Sequence, residues 1–283
     1  TTASANTQTS FVNANGATLR FAGSSVVQGQ LGSGTVVDGA VASLGTDAFG
    51  TIEAGANSHT VTFLNDVYVS DSTFEVTGTG IVNFVGDLNG PLIYEEGGSV
   101  NVADGKQING PVTTDANNQG TLNFVGGTTL QASIGTDALR LNAVNFHAAS
   151  TDTTALPVTA DDVTVNIGHD VYATITTIGT TQNSDADATT ANITDDVFLG
   201  NALTLAGPNV TLNTAGEMSA MTRTADGTLA TEHGPTRSTT GTGAITTTGA
   251  TLNFAIATQS WTAPRGTVEG QGGFINDSTS SRI

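Results

Sequence analysis

Thr121-Leu122-Asn123-Phe124, followed at once by Val125-Gly126-Gly127, returns as Thr251-Leu252-Asn253-Phe254 far along the chain. Looser copies are Ile81-Val82-Asn83-Phe84, Ser99-Val100-Asn101-Val102, Ala143-Val144-Asn145-Phe146 and Thr164-Val165-Asn166-Ile167, with Thr18-Leu19-Arg20-Phe21 and Val61-Thr62-Phe63 before them. The closing apolar residues 21, 63, 84, 102, 124, 146 and 167 lie 42, 21, 18, 22, 22 and 21 residues apart. The first step spans about two repeats, with Val41 near its middle. Further on the period loosens: Val210-Thr211-Leu212-Asn213 lies about two periods after Ile167, and Phe254 about two more.

Within a copy the order is apolar, polar, apolar. Side chains of a strand alternate between its faces, so Val82 and Phe84 point one way and Asn83 the other. Turn residues follow directly: Gly86, Asn89-Gly90-Pro91, Gly97-Gly98, Asp104-Gly105 and Asn109-Gly110-Pro111. Short strands divided by turns and recurring at a fixed period of twenty-odd residues are the mark of a solenoid, in which a coil buries its apolar row only against its neighbours. The expectation is an all-β chain, a right-handed parallel β-helix with coils of about 21 residues. Phe21, Phe63, Phe84, Phe124 and Phe146 would share one internal column. Asn83, Asn101, Asn123, Asn145 and Asn166 would stack either as a hydrogen-bonded amide row or as an outward, solvated one. Strands at sandwich spacing are also present, so a tandem β-sandwich is the competing architecture.

Composition agrees with an all-β reading. Thr, β-branched and suited to a pleated surface, is the commonest of the 283 residues, and 35 are Gly. The chain has 25 acidic residues against 7 basic ones and a formal net charge of -18. Its basic residues, Arg20, Lys106, Arg140, Arg223, Arg237, Arg265 and Arg282, are scattered, whereas nucleic-acid binding needs them clustered. No nucleic-acid partner is expected. There is no Cys, which removes disulfides, thiolate chemistry and Cys-ligated zinc. No apolar run is long enough for a membrane-spanning helix. Residues 1–10 are small and polar, without the basic start and apolar stretch of a signal peptide, and read as a mature terminus.

One β-helix domain over 1–283 is expected. Stretches 180–190 and 214–248, poor in large apolar residues, are read as loops leaving the coil stack. Residues 255–283, holding Trp261 and several Gly, are read as a C-terminal cap or contact segment.

Gly120 through Gly135, with Leu141-Asn142-Ala143-Val144-Asn145-Phe146, resembles the passenger regions of rickettsial-type autotransporter outer-membrane proteins. The likeness covers about 17–166 and returns at 249–255. It implies a long, acidic, Thr- and Gly-rich β-helix on the surface of a Gram-negative bacterium. The chain is short for a whole passenger and shows no membrane β-barrel translocator.

Motifs of chemistry are sparse. No Gly-x-Ser-x-Gly elbow, phosphate-binding loop or dinucleotide fingerprint occurs. Asp161-Asp162 and Gly168-His169-Asp170 resemble the Asp-Asp and Gly-His-Gly signatures of polygalacturonases. Asp170 replaces the last Gly, however, and no Arg-x-Lys element is present to grip a substrate carboxylate. Asn183, Asp185 and Asp187 have the spacing that opens a calcium loop, with Asp195 nearby, but Ala188 stands in place of the Gly and Thr194 in place of the closing Glu. These four residues are the candidate Ca²⁺ ligands; no other cofactor is expected. The four His have no ligand spacing.

The expectation is therefore a non-catalytic structural or adhesive protein of the bacterial surface. Its partners would be copies of itself or a host or cell surface. The alternative is a polysaccharide-active β-helix hydrolase or lyase using Asp161, Asp162 and His169. A passive carbohydrate-binding module would need an aromatic platform, and only 5% of residues are aromatic.

Overall fold

In the computed structural model the described residues are 18–37, 40–44, 48–69, 73–146, 162–179, 188–194, 197–199, 202–206, 210–214, 218–219, 244–247, 251–254 and 273–276. Among them are 26 strands and no helix. The strands pair in parallel, coil over coil, with a single antiparallel exception. This is a parallel β-solenoid. The sandwich alternative is excluded, because its two sheets would be built from antiparallel neighbours.

Three faces run along the stack. The long face has ten strands: Ser25–Val27, Thr60–Phe63, Ile81–Phe84, Ser99–Val102, Gln119–Phe124, Leu141–Phe146, Ala173–Gly179, Ala202–Ala206, Ala244–Thr247 and Gly273–Asn276. The second face has five, Thr18–Arg20, Thr51–Ala54, Phe74–Val76, Leu92–Tyr94 and Val112–Thr114, and continues as single bridges from Val112 through Ile134 and Val171 to Leu199. The third face starts narrow, with Val67–Tyr68 beside Leu88–Asn89 and a bridge from Leu88 to Ile108. It widens into Thr128–Thr129, Val163–Ile167, Thr189–Ile193, Val210–Thr214 and Thr251–Phe254. The two parts are joined where the Thr128 hydroxyl donates to the Lys106 carbonyl at 3.0 Å.

The repeated phrase works as alternation predicts. On the long face Val61, Val82, Val100, Leu122 and Val144 stack in register, and two residues on Phe63, Phe84, Val102, Phe124 and Phe146 do the same. All ten are at most 2% exposed. Rings lie flat on one another, Phe63 on Phe84 at 5.4 Å and Phe124 on Phe146 at 5.3 Å. Phe74 reaches across from the second face and meets Phe63 and Phe84 edge-on. Such pairs contribute about 0.5–1.5 kcal/mol each beyond the area they bury.

Three column assignments need correction. Phe21 does not precede Phe63: strand Thr18–Arg20 pairs with Thr51–Ala54 on the second face, and Val27 holds the place beside Phe63. Phe21 instead meets Phe63 edge-on at 5.4 Å. Val41 is no coil position. It pairs with Val36 in the antiparallel hairpin Gly34–Val37/Ala40–Leu44, which lengthens the first coil. Ile167 belongs to the third face, in register with Ile193, and Ile178 follows Phe146. One phrase serves two faces, so an even spacing in sequence joined residues that lie on different sides.

Close stacking requires glycine where a coil passes over a large side chain. Gly120 has φ +73° and sits over the Tyr94 ring, so a Cβ there would collide with the ring carbons.

Of stretch 180–190, Thr189 and Thr190 begin a strand and 180–187 lie outside the described residues. Within 214–248, Met218–Ser219 pairs with Val197–Phe198, and Ala244–Thr247 joins the long face. Of 255–283, Gly273–Asn276 adds a further rung to that face.

Candidate functional site

The polar side chains of the coil stack are organised in ladders. On the long face the Asn83 amide donates to the Thr62 hydroxyl at 3.2 Å. Asn101 donates to Asn83, Asn123 to Asn101 and Asn145 to Asn123, each Nδ2 to Oδ1 at 2.8 Å. Parallel in-register strands bring identical residues about 4.8 Å apart, and an amide has both a donor and an acceptor to bridge that gap. Asn83 and Asn101 are buried, so this is a bonded amide row rather than a solvated one.

Asn166 is not its fifth member. It lies on the third face and donates to the Thr129 hydroxyl at 3.2 Å. Asn192 donates to Asn166 and Asn213 to Asn192, both at 3.0 Å. Two residues before each Asn stands a Thr: Thr164, Thr190 and Thr211 are in register across the same strands, and Thr251 and Asn253 hold the next rung. Thr164 is exposed; Thr190, Thr211 and the three Asn are half-buried, while Val163, Val165, Ile167, Thr189, Ala191, Ile193 and Val210 point into the core. The result is a two-column surface of Thr and Asn.

Lower on the third face, carboxylates take the same place. Asp66 Oδ1 accepts the Asp87 amide N–H and Asp87 Oδ1 accepts that of Gln107, both at 2.9 Å. Burial pushes the Asp87 carboxyl up and Asp66 adds to this, while the Gln107 N–H and Lys106 oppose it. On the second face Arg20 pairs with Glu53, and Glu75 follows Glu53 in register. Burial and then Glu75, Asp115 and Glu53 raise the Glu95 carboxyl.

One charge is fully enclosed. Arg140 is 1% exposed, with its guanidinium 3.4 Å from Asp137 and its Cζ 5.8 Å from the centre of the Tyr172 ring. The Tyr172 hydroxyl donates to Asp170 at 3.0 Å, and burial plus that carboxylate push it up to about 12, against the pull of Arg140. This cluster fastens the corner between coils. Periodicity gave no sign of it, because it occurs once.

Of the residues with a polygalacturonase-like pattern, Asp162 is exposed and its Oδ1 accepts the Ala188 N–H at 3.1 Å, so it holds the next coil in place. His169 is exposed, and the Asp170 carboxylate is taken up by Tyr172. Asp161 lies outside the described residues, as do all four candidate calcium ligands, Asn183, Asp185, Asp187 and Asp195. Among the described residues no group of three or more His, Asp or Glu is arranged to hold a metal ion. A small apolar void lies inside the core among Ile108, Val112, Phe124, Leu130 and Ile134. No helix of the described residues is long and apolar enough to cross a membrane.

No protein-family model, no curated protein and no solved structure matches this chain.

Proposed function

We propose that this chain is a non-catalytic structural and adhesive rod of a bacterial cell surface, which packs with copies of itself or lies against a host cell. The observation that carries the proposal is the use of the polar residues. Asn83, Asn101, Asn123 and Asn145 bond to one another along the axis, as do Asn166, Asn192 and Asn213. Asp66, Asp87 and Asp162 accept backbone N–H groups of the adjoining coil. These groups stiffen a stack instead of converging on a substrate. Among the described residues strands Thr18–Arg20 and Ser25–Val27 are the outermost of their sheets, with Val26 63% exposed. Unpaired strand edges favour edge-to-edge growth. The cysteine-free composition and the autotransporter-like phrases support a place outside the cytoplasm, as a passenger segment or a subunit of a surface layer or fibre.

Negative-stain electron microscopy with sedimentation velocity over a range of concentrations tests this. Rods that lengthen end to end as concentration rises are the expected result. A monomer at every concentration that releases reducing ends from an acidic polysaccharide, and stops doing so in Asp162→Asn, would replace this reading with the hydrolase or lyase.

A further inference from the structure

The Thr and Asn columns of the third face differ from the rest of the surface in two respects. The chain has 25 acidic residues, yet the outward positions within Val163–Ile167, Thr189–Ile193 and Val210–Thr214 are Thr164, Asn166, Thr190, Asn192, Thr211 and Asn213, with exposed Asp162 at their edge, its carboxylate bonded to the Ala188 N–H. The same face carries Asp66 and Asp87 lower down, and the second face carries Glu53 and Glu75. The array is also regular in two dimensions. Strand pairing sets about 4.8 Å between coils, and residues two apart on a strand set about 6.6 Å between the columns. The long face lacks this regularity, because its outward positions mix Ile81, Ser99, Thr121, Ala143 and Ile175.

An open sheet face without a cleft cannot surround a small ligand, which binds in a concave and mainly apolar site. A partner for such a face must itself be flat and periodic, and an uncharged face fits an uncharged one. Oxygen atoms on a prism face of hexagonal ice repeat at spacings of this size. Each Thr presents a hydroxyl that joins a water lattice and a methyl that fills the space between lattice oxygens. The Asn ladder bonds at 3.0 Å between Asn166, Asn192 and Asn213 fix the amide column beside them, so little side-chain freedom is lost on contact. Soluble glycans are the poorer fit, since they stack on aromatic rings and these columns have none.

We propose that the Thr164/Thr190/Thr211 and Asn166/Asn192/Asn213 columns form an ice-binding face, with ordered lattice water as the ligand. The inference goes beyond the rod reading and stands without it: a chain that never assembles still has this face.

The test is microscopy of ice-crystal growth and partition of the chain into a slowly growing ice front. The wild-type chain shapes and slows crystals and enters the ice. Thr164→Tyr and Thr190→Tyr, which place a ring across the columns, lose both effects. Ile175→Tyr, on the long face at a residue already 45% exposed, keeps them. Matched thermal melts show that all three variants are folded. Should a Tyr variant fail to fold, Thr190→Ser removes only a methyl group and weakens growth restraint. Ice growth indifferent to the wild-type chain overturns the proposal, as does full restraint by folded Tyr variants. Pelleting with microcrystalline cellulose or chitin, with no effect on ice, assigns the face to a polysaccharide lattice and also overturns it.

Discussion

Asn101 sits between two copies of itself: it donates Nδ2 to Asn83 Oδ1 at 2.8 Å, and its own Oδ1 accepts Asn123 Nδ2 at 2.8 Å. It is 4% exposed, so water cannot take over either bond. Asn101→Ala therefore removes one bond from Asn83 and one from Asn123. The expected loss is about 2–3 kcal/mol, since two bonds go and a buried bond is worth more than an exposed one. Asn145→Ala, at a half-buried position whose amide donates to Asn123, costs about 1 kcal/mol. Urea unfolding of both variants checks the order; equal losses would mean that the second ladder bond of Asn101 contributes nothing.

Thr176 offers the reverse experiment. It stands in register between Val144 and Leu203 on the inner side of the long face, is fully buried, and its hydroxyl has no hydrogen-bond partner. Valine has nearly the same shape without the hydroxyl. Thr176→Val is expected to raise stability by about 1 kcal/mol, read as a higher melting temperature. A lower one would show that the hydroxyl is satisfied in solution.

The long-face columns were legible because alternation and a fixed coil length act together there. Val82, Phe84 and Asn83 each recur at the same place in the next coil, so spacing and facing agree. Legibility failed where one of these conditions lapsed. The hairpin containing Val41 lengthened the first coil, which displaced Phe21. Residues 147–161 precede the third-face strand of Ile167, so the next long-face rung comes 32 residues after Phe146. Thr190-Ala191-Asn192-Ile193 completes the Thr/Asn surface but has only a small residue at its centre, within a Thr-rich stretch that resembles a loop. Arg140 and Tyr172 left no signal, because a single enclosed charge has no period.

Tyr172 provides a spectroscopic reading of that corner. Its hydroxyl is pushed up to about 12. A folded value above the unfolded one means stability that is fully present below the unfolded value of about 10 and is lost as pH rises through the folded value. The folded chain should thus resist tyrosinate formation and weaken between about pH 10 and about 12. Arg140 draws the hydroxyl down, so Arg140→Met raises its titration further while removing a buried cation. Absorbance titration of tyrosinate follows both; a normal titration of Tyr172 in the folded chain would contradict the packing around it.

At the acid end the carboxyls act in the same sense. Asp87 and Glu95 are both raised, Asp87 by burial and Asp66, Glu95 by burial and then by Glu75, Asp115 and Glu53. A raised carboxyl contributes stability that is fully present below its unfolded value, near pH 4, and lost as pH rises through the folded value. Acidification from neutrality therefore restores it, and also relieves the self-repulsion of a chain with net charge -18. The urea midpoint is expected to be higher at roughly pH 5 than at pH 7. Asp87→Asn keeps an oxygen to accept the Gln107 N–H but has no charge to lose, so its midpoint should change less over the same interval. A wild-type midpoint that falls on acidification, or an Asp87→Asn profile parallel to wild type, would mean that carboxylates bonded across the coils stabilise the charged form instead.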